Sequence, residues 1–140
     1  MGYGMTLFLD ANIIIYRVEA VEPFNQQVVA LLRLLLSKYP HAGFAVSRLS
    51  MMECLVKPLR ERNSADISQY RAFFVSAGLQ IVEVSAQVIE IATMLRARHS
   101  LRTPDAIQAA SALSISGSVT FLTGDRQFRK MPGLNVHFVP

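Results

Sequence analysis

Four of the ten acidic residues in this 140-residue chain stand where a carboxylate could act on a bound group. Asp10 ends the apolar run "LFLD" two residues before Asn12, and Glu53 lies inside "LSMMECLV". Asp105 opens "DAIQAASA" and Asp125 sits in "TGDR". Three of them also have an ordinary structural reading. Asp10 can cap a short helix beginning at Ala11. Asp105, in the first turn of its helix, suits the helix dipole, and Asp125 is a common turn residue. Glu53 is different, because Leu49, Ser50 and Val56 share its helix face and are mostly apolar. A carboxylate there either edges a buried face or points at something positive. Glu19, Glu22, Glu61, Asp66, Glu83 and Glu90 read as surface charges.

The elements that must position these acids follow from apolar spacing and punctuation. Residues 7–9 form a buried strand, and 23–39 a helix with Pro23 in its first turn. The stretch 43–46 is a second strand, after which Ser47 caps the helix "RLSMMECLVKPL" and Pro58 breaks it. The polar link "RERNSAD" leads to a helix over 65–78 ended by Gly78, then a strand over 79–84. Ser85 caps "AQVIEIATMLRARH", and Thr103 caps a further helix with Pro104 at its first position. Strands over 119–122 and 134–139 flank the turn "TGDRQF". Strands separated by helices predict one α/β domain over 1–140, a three-layer sandwich around a mostly parallel five-stranded sheet. Ligands in such folds collect beyond the carboxyl ends of the strands, near a switch in strand order. Asp10 follows the first strand directly and Asp125 lies three residues past the fourth, so both belong at that edge.

Four carboxylates gathered there repel one another by about 4 kcal/mol per close pair before screening. A compensating cation is required, and oxygen donors alone select a hard ion, Mg²⁺ or Mn²⁺. His41, His99 and His137 have no ligand spacing for zinc, and His99 suits the end of a helix. Cys54 is the single cysteine, so no intrachain disulfide forms; it reads as a small buried apolar residue in a reducing, cytoplasmic setting. A net charge of +4 and a pI near 9.6 permit a polyanionic partner without requiring one. Hydrophobic residues make up 51% of the chain, which exceeds what one small core needs and points to a covered surface. The candidates are "VVALLRLLL" and "RAFFVSA". No apolar run is long enough to span a membrane. The start "MGYGMT" fits a six-residue acylation pattern at Gly2, but such a pattern recurs by chance and is set aside.

Four stretches together resemble the PIN domain, in particular the VapC-type toxin ribonucleases: "LFLDANIIIY", "SRLSMMECL", "LRTPDAIQAASA" and "TFLTGDRQF". They span positions 7–128, in the family's order. The resemblance implies that Asp10, Glu53, Asp105 and Asp125 are the catalytic, metal-holding acids, with Asn12 and Thr123 in support. Asn12 is expected to orient a ligand or bound water, and Thr123 to fix Asp10 or Asp125. Gly124 departs from the family, which commonly has a larger polar residue there, and is expected to loosen the turn at Asp125. The implied activity is Mg²⁺- or Mn²⁺-dependent endoribonuclease hydrolysis of RNA, as the toxin of a toxin–antitoxin pair. The implied partners are a second copy of the chain and a small antitoxin covering the acids. Arg17, Arg102, Arg126 and Arg129, followed by Lys130, are candidates for gripping RNA phosphates.

Rival chemistries fit less well. A haloacid-dehalogenase-type phosphatase needs a second aspartate where Asn12 stands, and a phosphate-binding lysine before a suitable helix. A response-regulator receiver needs a paired acid after the first strand and a central aspartate. A silent PIN-like scaffold that binds RNA or a partner satisfies the same sequence features as the nuclease, and is separated from it only by turnover.

Overall fold

The computed structural model of the chain describes residues 4–129 and 131–140; Gly2 of the acylation pattern and Lys130 of the basic run lie outside the described residues. Five strands form one sheet: β1 (Thr6–Leu9), β2 (Gly43–Ser47), β3 (Leu79–Val82), β4 (Val119–Thr123) and β5 (Asn135–Phe138). Every pairing is parallel and the order is β3-β2-β1-β4-β5. The expected sheet was mostly parallel; it is wholly so. The chain builds outward from β1 to β3, then returns to the other side of β1 for β4. The switch in strand order therefore falls between β1 and β4, the place where ligands of such folds collect beyond the carboxyl ends of the strands.

Alternation along β1 explains the layers. Leu7 and Leu9 face one side and Phe8 the other, as a pleated strand dictates. The Leu7 side packs α1 (Ala11–Val18), α2 (Phe24–Lys38), α3 (Leu49–Arg60) and α4 (Ser64–Phe74). The Phe8 side packs α6 (Thr103–Leu113), which in turn packs α5 (Ala86–Arg98). Ala106, Ala109, Ala110 and Ala112 are all buried, so the small residues of α6 bring its backbone close to the sheet. Phe8 stacks on Phe121 at 5.4 Å, and Phe121 meets Phe128 at 4.8 Å.

Several element ends differ from expectation. Pro58 does not break its helix: α3 runs to Arg60 with Pro58 buried inside it. So close to the helix end, the missing N–H interrupts only the last turn. α4 starts one residue before its expected first residue, capped by Asn63, whose side chain accepts the Asp66 N–H at 3.0 Å. It stops at Phe74, and Gly78 with φ +81° serves the turn into β3. Ser85 caps α5 as expected, accepting from the Val88 N–H. Arg102, and not Thr103, occupies the cap position of α6, while the Thr103 hydroxyl accepts from Arg96 at 3.0 Å. Glu19 is not a free surface acid, since the buried Tyr70 hydroxyl donates to it. Glu83 is exposed but paired with Arg48.

Exposed apolar side chains are present, but not only where the sequence suggested. Leu34 on α2 and Val75 beyond α4 are joined by Met52, Val56 and Leu59 on α3, a stripe at helical spacing. Among the described residues no helix is long and apolar enough to cross a membrane.

Candidate active site

Asp10 caps a helix with one oxygen and is held by two polar side chains at the other. Its backbone continues the sheet, donating to the Leu122 carbonyl at 3.0 Å, while its Oδ1 accepts the Ala11 N–H at 2.8 Å to open α1. Of the two readings left open by the sequence, the helix cap is present, and each oxygen has a different neighbour. Oδ2 accepts the Thr123 hydroxyl at 2.7 Å and the Asn12 amide at 3.1 Å. Asp10 is 5% exposed. Burial pushes its carboxyl up to about 6, further raised by the charges of Glu53 and Asp105 against the lowering hydrogen bonds from Thr123 and Ala11.

Thr123 ends β4, next to β1, and its single hydroxyl serves both aspartates. It donates to Asp10 and accepts the Asp125 N–H at 2.9 Å. Asn12 closes the same network, its Oδ1 accepting the Gly124 N–H at 2.9 Å. Its amide is therefore engaged in bracing the β4 turn against Asp10. Asp125 keeps its turn role as well, with Oδ1 accepting the Gln127 N–H at 2.9 Å, and Phe128 anchors the turn in the core. Gly124 sits directly against Tyr16. A Cβ there would come within 3.2 Å of the Tyr16 ring, which fills the space a larger side chain would take. Tyr16 in turn stacks on Phe24 at 4.7 Å.

Asp105 lies in the first turn of α6 and is buried. Burial and the charge of Asp125 raise its carboxyl, opposed by Arg102, whose Nε donates to it at 3.4 Å. Glu53 is half-buried on α3, raised by burial and by Asp105, and opposed by a 2.7 Å hydrogen bond from Gln108. Charge links Asp10 to Glu53 and Asp105, Glu53 to Asp105, and Asp105 to Asp125. Cys54 beside Glu53 is buried, and burial pushes its thiol up, so it remains a neutral apolar filler.

The arginines divide. Arg102 alone among the described residues is bonded to a site acid. Arg126 lies over the Phe138 ring at 5.1 Å, and Arg129 is exposed. Arg17 borders an apolar groove of about 510 Å³ lined by Leu9, Ile13, Leu32, Phe44 and Phe73, so the structure ties it to that groove and to none of the acids. Sequence reasoning missed Gln108 and Tyr16. Gln108 carried a signal, a lone amide three residues after Asp105 on an otherwise Ala-rich helix; Tyr16 carried none.

Oxygen donors without a neighbouring imidazole or thiolate fit a hard divalent cation, and three buried or half-buried carboxylates with raised pKa are the state that a cation relieves. Among the described residues no three acids, histidines or cysteines already converge tightly enough to hold an ion. Glu53 accepts from Gln108, and Asp105 from Arg102.

Comparisons with known proteins agree with this architecture. No curated protein sequence is significantly similar. Among solved structures, a chain of VapBC2 from Rickettsia felis, bound to a DNA fragment from its promoter, aligns with TM-score 0.75 at 20% identity, covering 97% of this chain and 100% of that one. A chain of a toxin–antitoxin complex from Klebsiella pneumoniae gives 0.67 at 22%, over 96% and 98%. A chain of VapBC-1 from nontypeable Haemophilus influenzae gives 0.67 at 17%, over 96% and 98%. At these identities the structures speak for the fold. The family model of the PIN domain matches residues 7–134, nearly the whole chain and all four acids, and the chain belongs to the PIN domain family.

Proposed function

We propose that the chain is a Mg²⁺- or Mn²⁺-dependent endoribonuclease, the toxin of a toxin–antitoxin pair. The observation that carries this reading is the buried Asp10, coupled to Glu53 and Asp105 at the sheet's switch point and fixed from three sides. The likeness to chains from toxin–antitoxin complexes supports the toxin assignment. Asp10, Glu53, Asp105 and Asp125 hold the cation. A divalent ion bound there supplies charge to the scissile phosphate and acidifies water, the chemistry hydrolysis needs.

The protein's own groups do the positioning. Asp10 is kept in one rotamer by Ala11, Asn12 and Thr123, so its oxygens are preorganised. Arg102 neutralises part of the acidic charge at rest and, being exposed, is placed to turn to an incoming phosphate. Arg126 and Arg129 extend positive charge beyond Asp125. The P–O bond to one ribose breaks as a water oxygen adds to phosphorus, leaving a phosphate on one product and a hydroxyl on the other. The exposed stripe Met52, Val56 and Leu59 supports a second copy of the chain as a partner, and the groove beside Arg17 leaves room for an antitoxin segment.

Purified chain free of antitoxin should cut a mixed RNA pool with Mg²⁺ or Mn²⁺ and stop with EDTA. A folded, cation-binding chain that cuts nothing would instead fit a scaffold. Thr123→Val should lower cleavage by roughly 10- to 100-fold, since removing a group that orients a metal-holding side chain costs about that much. It leaves the Asp125 N–H unpaired and should cost about 1–3 kcal/mol of stability, read by urea denaturation. Activity within twofold of wild type would remove Thr123 from the site.

A further inference from the structure

We infer that Gln108 is the positioning residue for Glu53, holding its carboxylate in place to join Asp10 and Asp105 around a divalent cation; this rests on the metal-dependent reading above. Gln108 is 1% exposed, and its side-chain nitrogen spends itself on two residues of α3, the Ser50 hydroxyl at 2.9 Å and Glu53 Oε1 at 2.7 Å. Ser50 and Glu53 are three apart on α3, and Asp105 and Gln108 are three apart on α6. Residues at that spacing share a helix face. One amide therefore links the face carrying Glu53 to the face carrying Asp105.

The link comes at a cost that identifies its purpose. Gln108 Oε1 is buried with no hydrogen-bond partner among the described residues. An orphaned buried oxygen is unfavourable by about 1–3 kcal/mol, which an apolar side chain of the same length would avoid. Turning the amide over would set that oxygen against the Glu53 carboxylate, so Glu53 dictates its orientation. Ser50 fixes the amide from the other side. One turn further along α6, the Ser111 and Ser47 hydroxyls lie 3.1 Å apart, so the α6 seam with β2 and α3 is polar where the rest of the α6 face is alanine. Among the described residues no hydrogen bond reaches Glu53 Oε2, which leaves it available to a ligand.

The test is Gln108→Met, equal in length and without the donor. Titration calorimetry with MnCl₂ alone should show a dissociation constant raised roughly 10- to 100-fold, while the metal-free melting temperature stays level or rises. In a Glu53→Gln background the same change should leave Mn²⁺ affinity within twofold, because Gln108 acts through Glu53. Mn²⁺ affinity unchanged in folded Gln108→Met, or an equal loss in both backgrounds, would overturn the assignment. Gln108→Leu carries the same readout if the methionine variant does not fold. A wild-type chain that binds no Mn²⁺ would sink the metal-dependent reading itself. Normal binding by wild type, lost in Asp10→Asn but kept in Gln108→Met, would sink only the role of Gln108.

Discussion

Asp10→Asn should reduce metal-dependent RNA cleavage at least a thousandfold while leaving the protein folded. In the proposed reading Asp10 would bring the cation the least replaceable charge of the four, because the side chain is buried and already held at both oxygens. A metal's charge stabilisation of the transition state is worth several kcal/mol, and about 4 kcal/mol is a factor of 10³ in rate. The amide is isosteric, but it cannot satisfy every neighbour. One end of Asp10 meets the Ala11 N–H and the other meets the Asn12 amide, both donors. Either orientation of an asparagine sets its NH₂ against one of them. A modest loss of stability is therefore expected, partly offset by removing a buried charge, and circular dichroism should show an unchanged fold. In the proposed reading RNA affinity should survive better than turnover, since arginines rather than acids would meet phosphate. Cleavage above a tenth of wild type, in protein purified identically, would show that Asp10 does not hold the metal.

The second large effect is on stability against pH. Asp10 titrates near 3.8 in the unfolded chain and about 6 in the folded one, because burial disfavours the charged form. Between those values the native state binds more protons than the unfolded state, so stability falls as pH rises through the window. The gap corresponds to about 3 kcal/mol, fully present below pH 3.8 and lost above about 6. For a chain of this size that is about 10 °C in melting temperature. Glu53 and Asp105 are raised in the same direction and add to it. The metal-free protein should melt higher at pH 5 than at pH 7.5. The difference between its profile and that of Asp10→Ala isolates the buried carboxylate from ordinary acid unfolding. Mg²⁺ at pH 7.5 should recover the lost stability by binding only the native state. Superimposable profiles for wild type and Asp10→Ala would mean that Asp10 is not held as a buried charge.

How much of this was legible in the sequence can be judged at particular residues. The places of Asp10 after β1, Glu53 on α3, Asp105 in the first turn of α6 and Asp125 after β4 were legible because strand and helix periodicity is local, and the end of a parallel strand has a known place in the fold. Ser85 was found for the same reason, a hydroxyl standing just before an amphipathic repeat. Pro58 and Gly78 misled because breaker residues state a local preference, which the packing of α3 and the turn into β3 override. Thr103 misled likewise, its hydroxyl being taken by Arg96 from another helix.

Local pattern thus determined the class of fold, the order of its elements and the places of the four acids along them, since each rests on neighbours a few residues away. Tertiary structure alone decided what surrounds those acids. Thr123 reaches Asp10 across 113 residues, and Gln108 reaches Glu53 across 55. Tyr16 fills the space beside Gly124, and Asp10 is charged or neutral according to how closely the core shuts out water. Hydrogen bonds and desolvation act over a few ångströms in space, and separation along the chain carries no trace of them.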